Sequence, residues 1–552
     1  MINRRDLLKQ LALGVPALAL GKNLNAAQKI LEAPGIGYIP GRFKPTWESL
    51  SSYQTPEWFR NAKFGIWAHW GPQCQPEHGD WYAREMYMEG SRQNKYHLEK
   101  YGHPSKFGFK DVINEWKAEK WDPQELLSLY KNAGAKYFMA LANHHDNFDL
   151  FKSSYQSKWN STKIGPKQDI IKGWEKAARS NGMHFGVSVH AAHAWTWMET
   201  AQRSDLKGDM AGIPYDGKLT AADGKGKWWN GLNPQDLYAQ NHALSENSWD
   251  NNSSGKQWDW GNGASVPSKQ YCEKFYNRTI ELIDNYAPDL IYFDDTALPL
   301  WPVSDVGLRI ASYAYNKSIQ KNNKLEAVIF GKILDKQQRK CMVWDIERGH
   351  SNEIEPLPWQ ADTCLGSWHY DRTVYDNNSY KNAKTVVHTL ADVVSKNGNL
   401  LLSVPVRGNG TIDEIERSVV EEIGDWMSVN SEAIYDTRPW KVFGEGPSTE
   451  TRQLLKDQGF NEGKNKPFTS ADIRFTKKVN SIYAIVMGWP EGGSIRIKAM
   501  KRGSPNLEKP VSNVVVTGTS QKLAFTQGEN FLEVNLSDFK PKHTYAFALK
   551  IS

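Results

Sequence analysis

Apolar positions along most of this chain alternate between two periods. From Tyr271 to Tyr286 they fall at Cys272, Phe275, Thr279, Leu282, Ile283 and Tyr286, the spacing of an amphipathic helix, which Pro288 brings to an end. The apolar run Leu290 to Phe293 follows and closes on Asp294 and Asp295, a buried strand with acid at its tip. The same unit recurs on both sides. Asp122 caps a helix with Pro123 at its first position, Leu126, Leu127 and Tyr130 form its inner stripe, and Gly134 stops it. The next strand, Lys136 to Ala142, delivers Asn143, His144, His145 and Asp146. A helix over Ile170 to Ser180 leads to the strand His184 to Val189, which delivers His190, His193 and Trp195. Upstream, Lys63 to Trp70 reads as a strand carrying His69. Downstream come a helix near Leu308 to Gln320, a strand over Glu326 to Phe330, a strand over Met342 to Ile346 that delivers Glu347, and a final strand over Asn399 to Val404. Polar residues at successive strand ends would share one mouth of an α/β barrel, so the pattern predicts a (β/α)8-like, TIM-type fold.

The pattern changes at both ends of this region. A helix starting near Thr411, boxed by Glu414, is expected to run to about Asn430 and close the barrel. From Pro439 the period becomes two, as in Ile473 to Phe475, Ser481 to Val486, Ser494 to Lys498 and Tyr545 to Ile551, which predicts an all-β sandwich over 438–552 behind a catalytic domain over 28–437. Residues 1–27 carry Arg4-Arg5, an apolar stretch and a small-residue end, the parts of a twin-arginine-like export signal; the expected location is the periplasm. That stretch is too short to span a bilayer, so no membrane anchor is expected in the mature protein. The connection from Trp195 to Gln270 is long, rich in Gly, Asn and Asp, and carries Trp228, Trp229, Trp258 and Trp260; following a barrel strand, it belongs over the active mouth, as an aglycone platform or as a small core of its own.

Composition narrows the chemistry. A net charge of +6 spread over 552 residues, with no basic run, does not make a nucleic-acid groove. The 23 tryptophans are more telling, because flat indole faces suit sugar rings. Cys74, Cys272, Cys341 and Cys364 show no metal-like spacing. Two reactions could use a mouth lined with His, Asp and Glu. In one, two carboxylates flank a glycosidic bond, about 5 to 5.5 Å apart for a retaining reaction. Asp294 and Glu347 come from different strands, as that requires. In the other, His69, His144, His145 and Asp294 hold a divalent metal in a barrel hydrolase, although adjacent histidines on a strand point to opposite faces. A carbohydrate-binding protein without catalysis would keep the Trp and His residues but lack one carboxylate.

The segments Lys63 to Gly71, Asp80-Trp81-Tyr82-Ala83-Arg84-Glu85-Met86-Tyr87, His144-His145-Asp146-Asn147-Phe148, Pro288 to Asp294, Pro358-Trp359-Gln360 with Gly366-Ser367-Trp368, Asn397 to Leu402 and Gly408 to Thr411 occur in order and together resemble the α-L-fucosidase family, glycoside hydrolase family 29. The resemblance implies a retaining exo-α-L-fucosidase that needs no metal or other cofactor, acts on fucose-containing glycans, and is built on a barrel with a β-sandwich. It puts the nucleophile on Asp294, with Tyr292 where the family has Trp and Asp295 as the alternative. The acid/base falls on Glu347, with Glu353 and Glu355 in the same loop. His69, Trp81, His144 and His145 match sugar-contacting positions beside an acidic Asp80, and His190, Tyr292 and Trp359 complete the expected substrate-binding set. The chain departs from the family in further places, and its final motif reads Ser403-Val404-Pro405-Val406-Arg407 where Asn-Val-Gly-Pro-Arg is more usual. His190 and His193 stand where tyrosines are usual, and Gly331-Lys332 stands where an arginine is often found. If either histidine faces C6 of the sugar, α-L-galactosides, which carry a hydroxyl there, would be preferred to α-L-fucosides.

Overall fold

A computed structural model describes residues 39–239, 242–246, 248–251, 257–450, 458–464 and 466–552. The export-signal reading of 1–27 lies outside them. Eight parallel strands close into a barrel in sequence order: β1 (Phe64–Ala68), β2 (Tyr137–Asn143), β3 (His184–Val189), β4 (Leu290–Thr296), β5 (Val328–Lys332), β6 (Val343–Glu347), β7 (Trp359–Cys364) and β8 (Gly398–Ser403). β1 pairs with both β2 and β8, which closes the ring. Almost every strand residue is buried, as expected of a parallel sheet covered by helices on its outer face.

The helices form where periodicity and caps placed them. Asp122 accepts from the backbone N–H of Gln124 and Glu125 at the start of Pro123–Asn132, and Asp169 caps Ile170–Ser180. The helix before β4 begins two residues earlier than its apolar stripe, at Lys269, under a Ser268 cap. The closing helix does not start from Thr411. It spans Glu414–Asn430, with Asp413 as the cap and Glu416, not Glu414, completing the capping box. The stretch Trp359–Cys364 is a barrel strand that its mixed polar sequence did not announce.

β9 (Arg438–Glu445) leaves the barrel domain and pairs with β10 (Ile473–Lys478). With β11 (Ser481–Val486), β13 (Val514–Val516) and β16 (Phe547–Ile551) they make a five-stranded antiparallel sheet, and β12 (Ser494–Ile497), β14 (Phe525–Gln527) and β15 (Leu532–Asn535) make a second sheet of three. Alternation decides what each face covers. Tyr483 and Ile485 of β11 and Ala548 of β16 join the barrel's core, whereas Ala484, Val486, Phe547 and Leu549 pack between the two sheets. A buried ion cluster fastens the sheet to the barrel: Asp392, on the helix before β8, accepts from Arg474 of β10 at 2.7 Å and from Lys396 at 2.6 Å.

Candidate active site

Each barrel strand delivers its last residues to one rim. His69 follows β1, His144 and His145 follow β2, His190 follows β3, Asp294 lies near the end of β4, and Lys332 and Glu347 are the last residues of β5 and β6. β4 does not run regularly against β5. Tyr292 pairs with Phe330, but the next pair is Thr296 with Lys332, so β4 carries two extra residues just where its acids stand. Such bulges re-aim side chains beside active sites. Gly331 allows the close approach, because a β carbon there would come within 2.6 Å of the Ala297 carbonyl oxygen.

The two aspartates part at the bulge. Asp294 turns inward, where Oδ2 accepts from His145 Nε2 at 3.0 Å and His190 Nδ1 at 3.2 Å, and Oδ1 contacts the Lys332 ammonium. Asp295 turns away. It accepts from the backbone N–H groups of Thr296 at 2.7 Å and Leu300 at 3.2 Å and from His193 Nε2 at 3.0 Å. His193 is sandwiched between the parallel rings of Trp258 and Trp260, with centroids 3.9 and 4.5 Å away. It therefore supports Asp295 and does not line the mouth, which corrects its expected role in reading the sugar's C6. His190 does line it, against Asp294.

Lys332 also contacts Glu347 Oε2. One ammonium touching both carboxylates keeps their oxygens within two hydrogen-bond lengths, about 5 to 6 Å, close to the spacing of a retaining pair and short of the roughly 6.5 Å or more of an inverting one. Asp294 and Glu347 are 4% and 3% exposed, so the pair lies at the bottom of an enclosed site. The other glutamates of that loop are elsewhere. Glu355 turns back toward Ser351 and Arg339, and Glu353 is exposed.

The histidines form the wall. His69, His144 and His369 offer ring nitrogens within 4.8 Å of one another, and so do His144, His145 and His190. A metal would need an unshared nitrogen lone pair from each. The Gln73 amide, oriented by Asp146 at 3.1 Å, donates to His144 Nδ1 at 2.7 Å. His144 Nε2 must then carry the hydrogen, which makes it a donor, suited to a sugar hydroxyl and unsuited to coordination. Burial, reinforced by the neighbouring histidines, holds the His144 pKa well below the usual imidazole range, so the ring is neutral. Burial also presses His145 down to about 3, with the Asp294 contact acting in the opposite sense. His145 Nδ1 faces the His190 carbonyl at 2.6 Å and its Nε2 faces Asp294 at 3.0 Å, so both ring nitrogens meet acceptors and the ring is held in place beside Asp294.

Asp80 lies at the outer edge. Burial alone would raise its pKa, but hydrogen bonds from His369 hold it below the usual range. Trp81 adopts φ +61, a left-handed backbone uncommon for a residue with a side chain and often found at functional positions. Its ring lies parallel to Trp258 at 6.2 Å. Trp258 also meets the His145 ring edge-on at 4.7 Å, so of Trp228, Trp229, Trp258 and Trp260 it is the one that reaches the site. The others pack the connection itself: Trp260 beneath His193, Trp229 under Lys110, and Trp228 bonded to Asp111.

Two expected substrate contacts are corrected. Trp359 opens β7 at the opposite end of the barrel, 1% exposed, with its N–H on the Lys396 carbonyl. Tyr292 lies one layer beneath Asp294, and its hydroxyl donates to Asp362 at 2.9 Å. Sequence reasoning also missed residues that the site contains. Trp368 and His369 pack on His69, and Trp197 packs on His144 and His145. The Gly366-Ser367-Trp368 motif was the available signal for the first two.

Under the catalytic layer, Asp345 of β6 and Asp362 of β7 are fully buried with Tyr292 and Gln360 as partners. Burial raises both pKa values; for Asp345 the neighbouring Asp362 adds to it, and for Asp362 Glu347 does, taking it to about 7. A carboxyl raised on folding contributes stability that is complete below its unfolded pKa, near 4, and lost as pH rises through the folded value. The Asp362 carboxyl is therefore expected to contribute a fall in thermal stability between about pH 4 and about 7. Asp362→Asn should flatten that slope by at least about 3 °C in Tm. Parallel slopes in melts across this range would contradict a raised Asp362 carboxyl.

Comparison with known proteins decides the family. The α-L-fucosidase family model matches residues 36–432, and the α-L-fucosidase C-terminal domain model matches 465–552. The chain belongs to the α-L-fucosidase family. As a member it is a glycoside hydrolase. It is similar to tissue α-L-fucosidase of Rattus norvegicus, 24% identical over 511 residues that cover 89% of this chain and 87% of the relative, and to plasma α-L-fucosidase of Homo sapiens, 26% identical over 494 residues that cover 87% and 85%. Among solved structures it resembles Thermotoga maritima α-fucosidase in complex with a mechanism-based inhibitor, at 26% identity and TM-score 0.66, covering 92% of this chain and 100% of that one.

Proposed function

We propose that this α-L-fucosidase family member removes terminal α-L-fucosyl residues from glycans by double displacement, with Asp294 as nucleophile and Glu347 as acid/base. The observation that carries the reading is the pair of buried carboxylates bridged by Lys332 at the C-terminal rim of the barrel. In the first step Asp294 attacks the anomeric carbon while Glu347 gives its proton to the departing oxygen. Forming the glycosyl ester cancels the charge on Asp294. Lys332 then acts on Glu347 alone and favours the carboxylate that must take a proton from water in the second step. His144 Nε2–H can donate to a ring hydroxyl, and the indoles of Trp81 and Trp258 offer an apolar wall. Burial of both carboxylates suits a terminal residue entering a dead-end site. Arg4-Arg5 and the small-residue end of 1–27 support export to the periplasm; a product held in the cytoplasm with 1–27 intact would contradict that.

The purified protein is expected to hydrolyse 4-nitrophenyl α-L-fucoside in preference to the α-L-galactoside, because of the two histidines that replace the family's tyrosines only His190 lines the mouth, and it is engaged with Asp294. His190→Phe should lower kcat on both sugars by about tenfold or more, as loss of a charge-assisted hydrogen bond to the nucleophile implies, and leave their ratio unchanged. A parent that prefers the galactoside, with the preference reversed in His190→Phe, would overturn the fucosidase reading.

A further inference from the structure

The end of β6, which carries Glu347, is held from outside the barrel domain. The Phe460 N–H donates to the Glu347 carbonyl at 2.6 Å, and the Glu462 N–H donates to the Arg348 carbonyl at 2.8 Å. Residues 458–464, from the stretch between β9 and β10, thus lie along the two residues at which β6 ends. On the other side the Arg348 N–H donates to the Asp362 carbonyl of β7 at 2.7 Å. Asn461, fully buried, fastens the next turn: its Oδ1 accepts from the His350 N–H at 2.7 Å, and its Nδ2 donates to the His350 carbonyl at 3.2 Å.

This clamp has a charged centre. The Glu462 carboxylate accepts from Arg348 Nε at 2.6 Å, Thr363 Oγ1 at 2.7 Å and Lys381 Nζ at 3.2 Å. Burial alone would raise its pKa, but Lys381 and Arg348 hold it down to about 2, so the charge persists at any working pH. The turn it restrains is unfavourable by itself, because Arg348 has φ +47, a left-handed backbone that residues with a β carbon avoid. Such a conformation persists where its surroundings over-determine it. The segment also falls between the spans matched by the two family models, which end at 432 and resume at 465.

We propose that the 458–464 segment, through Glu462, is a positioning element for the acid/base: the chain beyond the barrel fixes where the Glu347 carboxyl meets the leaving-group oxygen. This rests on Glu347 being the acid/base. Displacing that carboxyl penalises aglycones that need protonation and spares those that leave unaided. A purely structural role would lower all substrates together.

The test compares kcat/KM, which reports the first step alone, on 4-nitrophenyl α-L-fucoside and on an unactivated fucosyl disaccharide, for the parent, Glu347→Ala, Glu462→Ala and Glu462→Gln, with melting curves for each. Glu462→Ala is expected to lower kcat/KM on the disaccharide by about 10- to 100-fold, the scale of an ångström-level misplacement. It should change kcat/KM on the nitrophenyl fucoside by less than about threefold, and Glu462→Gln, which keeps an acceptor, should recover most of the loss. Thr363→Val, which removes one donor to Glu462, should show the same split at smaller size and stands in if Glu462→Ala does not fold. Equal losses on both substrates, or none, in whichever of these variants folds would overturn the proposal. If Glu347→Ala itself loses both substrates equally, the acid/base reading falls and this inference with it; if Glu347→Ala shows the split and the Glu462 variants do not, only this inference falls.

Discussion

Replacing Asp294 by Ala or Gly is expected to lower kcat by about four to six orders of magnitude, the scale of removing a covalent nucleophile. Three side chains converge on its carboxylate, while the neighbouring acids are engaged differently, Glu347 across Lys332 and Asp295 with two backbone N–H groups and His193. Azide should recover part of the activity by entering the vacated space and attacking the anomeric carbon. Asp295→Ala should behave differently, with a lower melting temperature from two unsatisfied backbone donors and a smaller kinetic effect. A folded but inactive Asp295 variant beside a nearly normal Asp294 variant would reverse the assignment.

Glu347→Ala is expected to cost about 10²- to 10⁴-fold on an unactivated fucosyl glycan, the usual worth of general acid catalysis. The loss on 4-nitrophenyl α-L-fucoside should be markedly smaller in the first step, because nitrophenolate leaves almost without protonation. Steady-state rates alone can hide this, since Glu347 also serves as base in the second step. Pre-steady-state release of nitrophenolate separates them: the variant should show a burst followed by slow turnover. Losses of equal size on both substrates with no burst would remove Glu347 from the acid/base role.

What the sequence made legible follows from which forces act locally. Barrel strands and helices were readable because period and caps are properties of neighbouring residues: Ile170–Ser180 and His184–Val189 appear as the pattern placed them. β7 was not, because its inward Gln360 and Asp362 belong to a polar layer whose partners, Asp345 and Tyr292, lie on other strands. The closing helix shows the limit of local rules in another way. Thr411 and Asp413 both offer capping side chains, and the backbone chose Asp413, whose carboxylate is also bonded by Tyr370 and Tyr380.

The site divides along the same line. His69, His144, His145, Asp294 and Glu347 could be found because each ends a strand, and strand ends share a rim. Whether His193 or His190 faces the mouth depends on the bulge in β4 and on two tryptophans some sixty residues further along, Trp258 and Trp260, and neither is visible in the local pattern. Trp359 failed for a simpler reason. It opens its strand where the others' catalytic residues close theirs, so a motif match placed it at the wrong end of the barrel. Lys332 was visible only as a departure from the family's usual arginine; its contact with both carboxylates required the registers of β4, β5 and β6 together.

The most direct test of covalent catalysis by Asp294 is to inactivate the enzyme with 2-deoxy-2-fluoro-α-L-fucosyl fluoride, which slows the second step more than the first, then digest it and locate the added sugar by mass spectrometry. A single 2-fluorofucosyl group on Asp294, absent from Asp294→Ala, is the expected result; a label on Asp295 or another residue, or time-dependent inactivation that persists in Asp294→Ala, would contradict it.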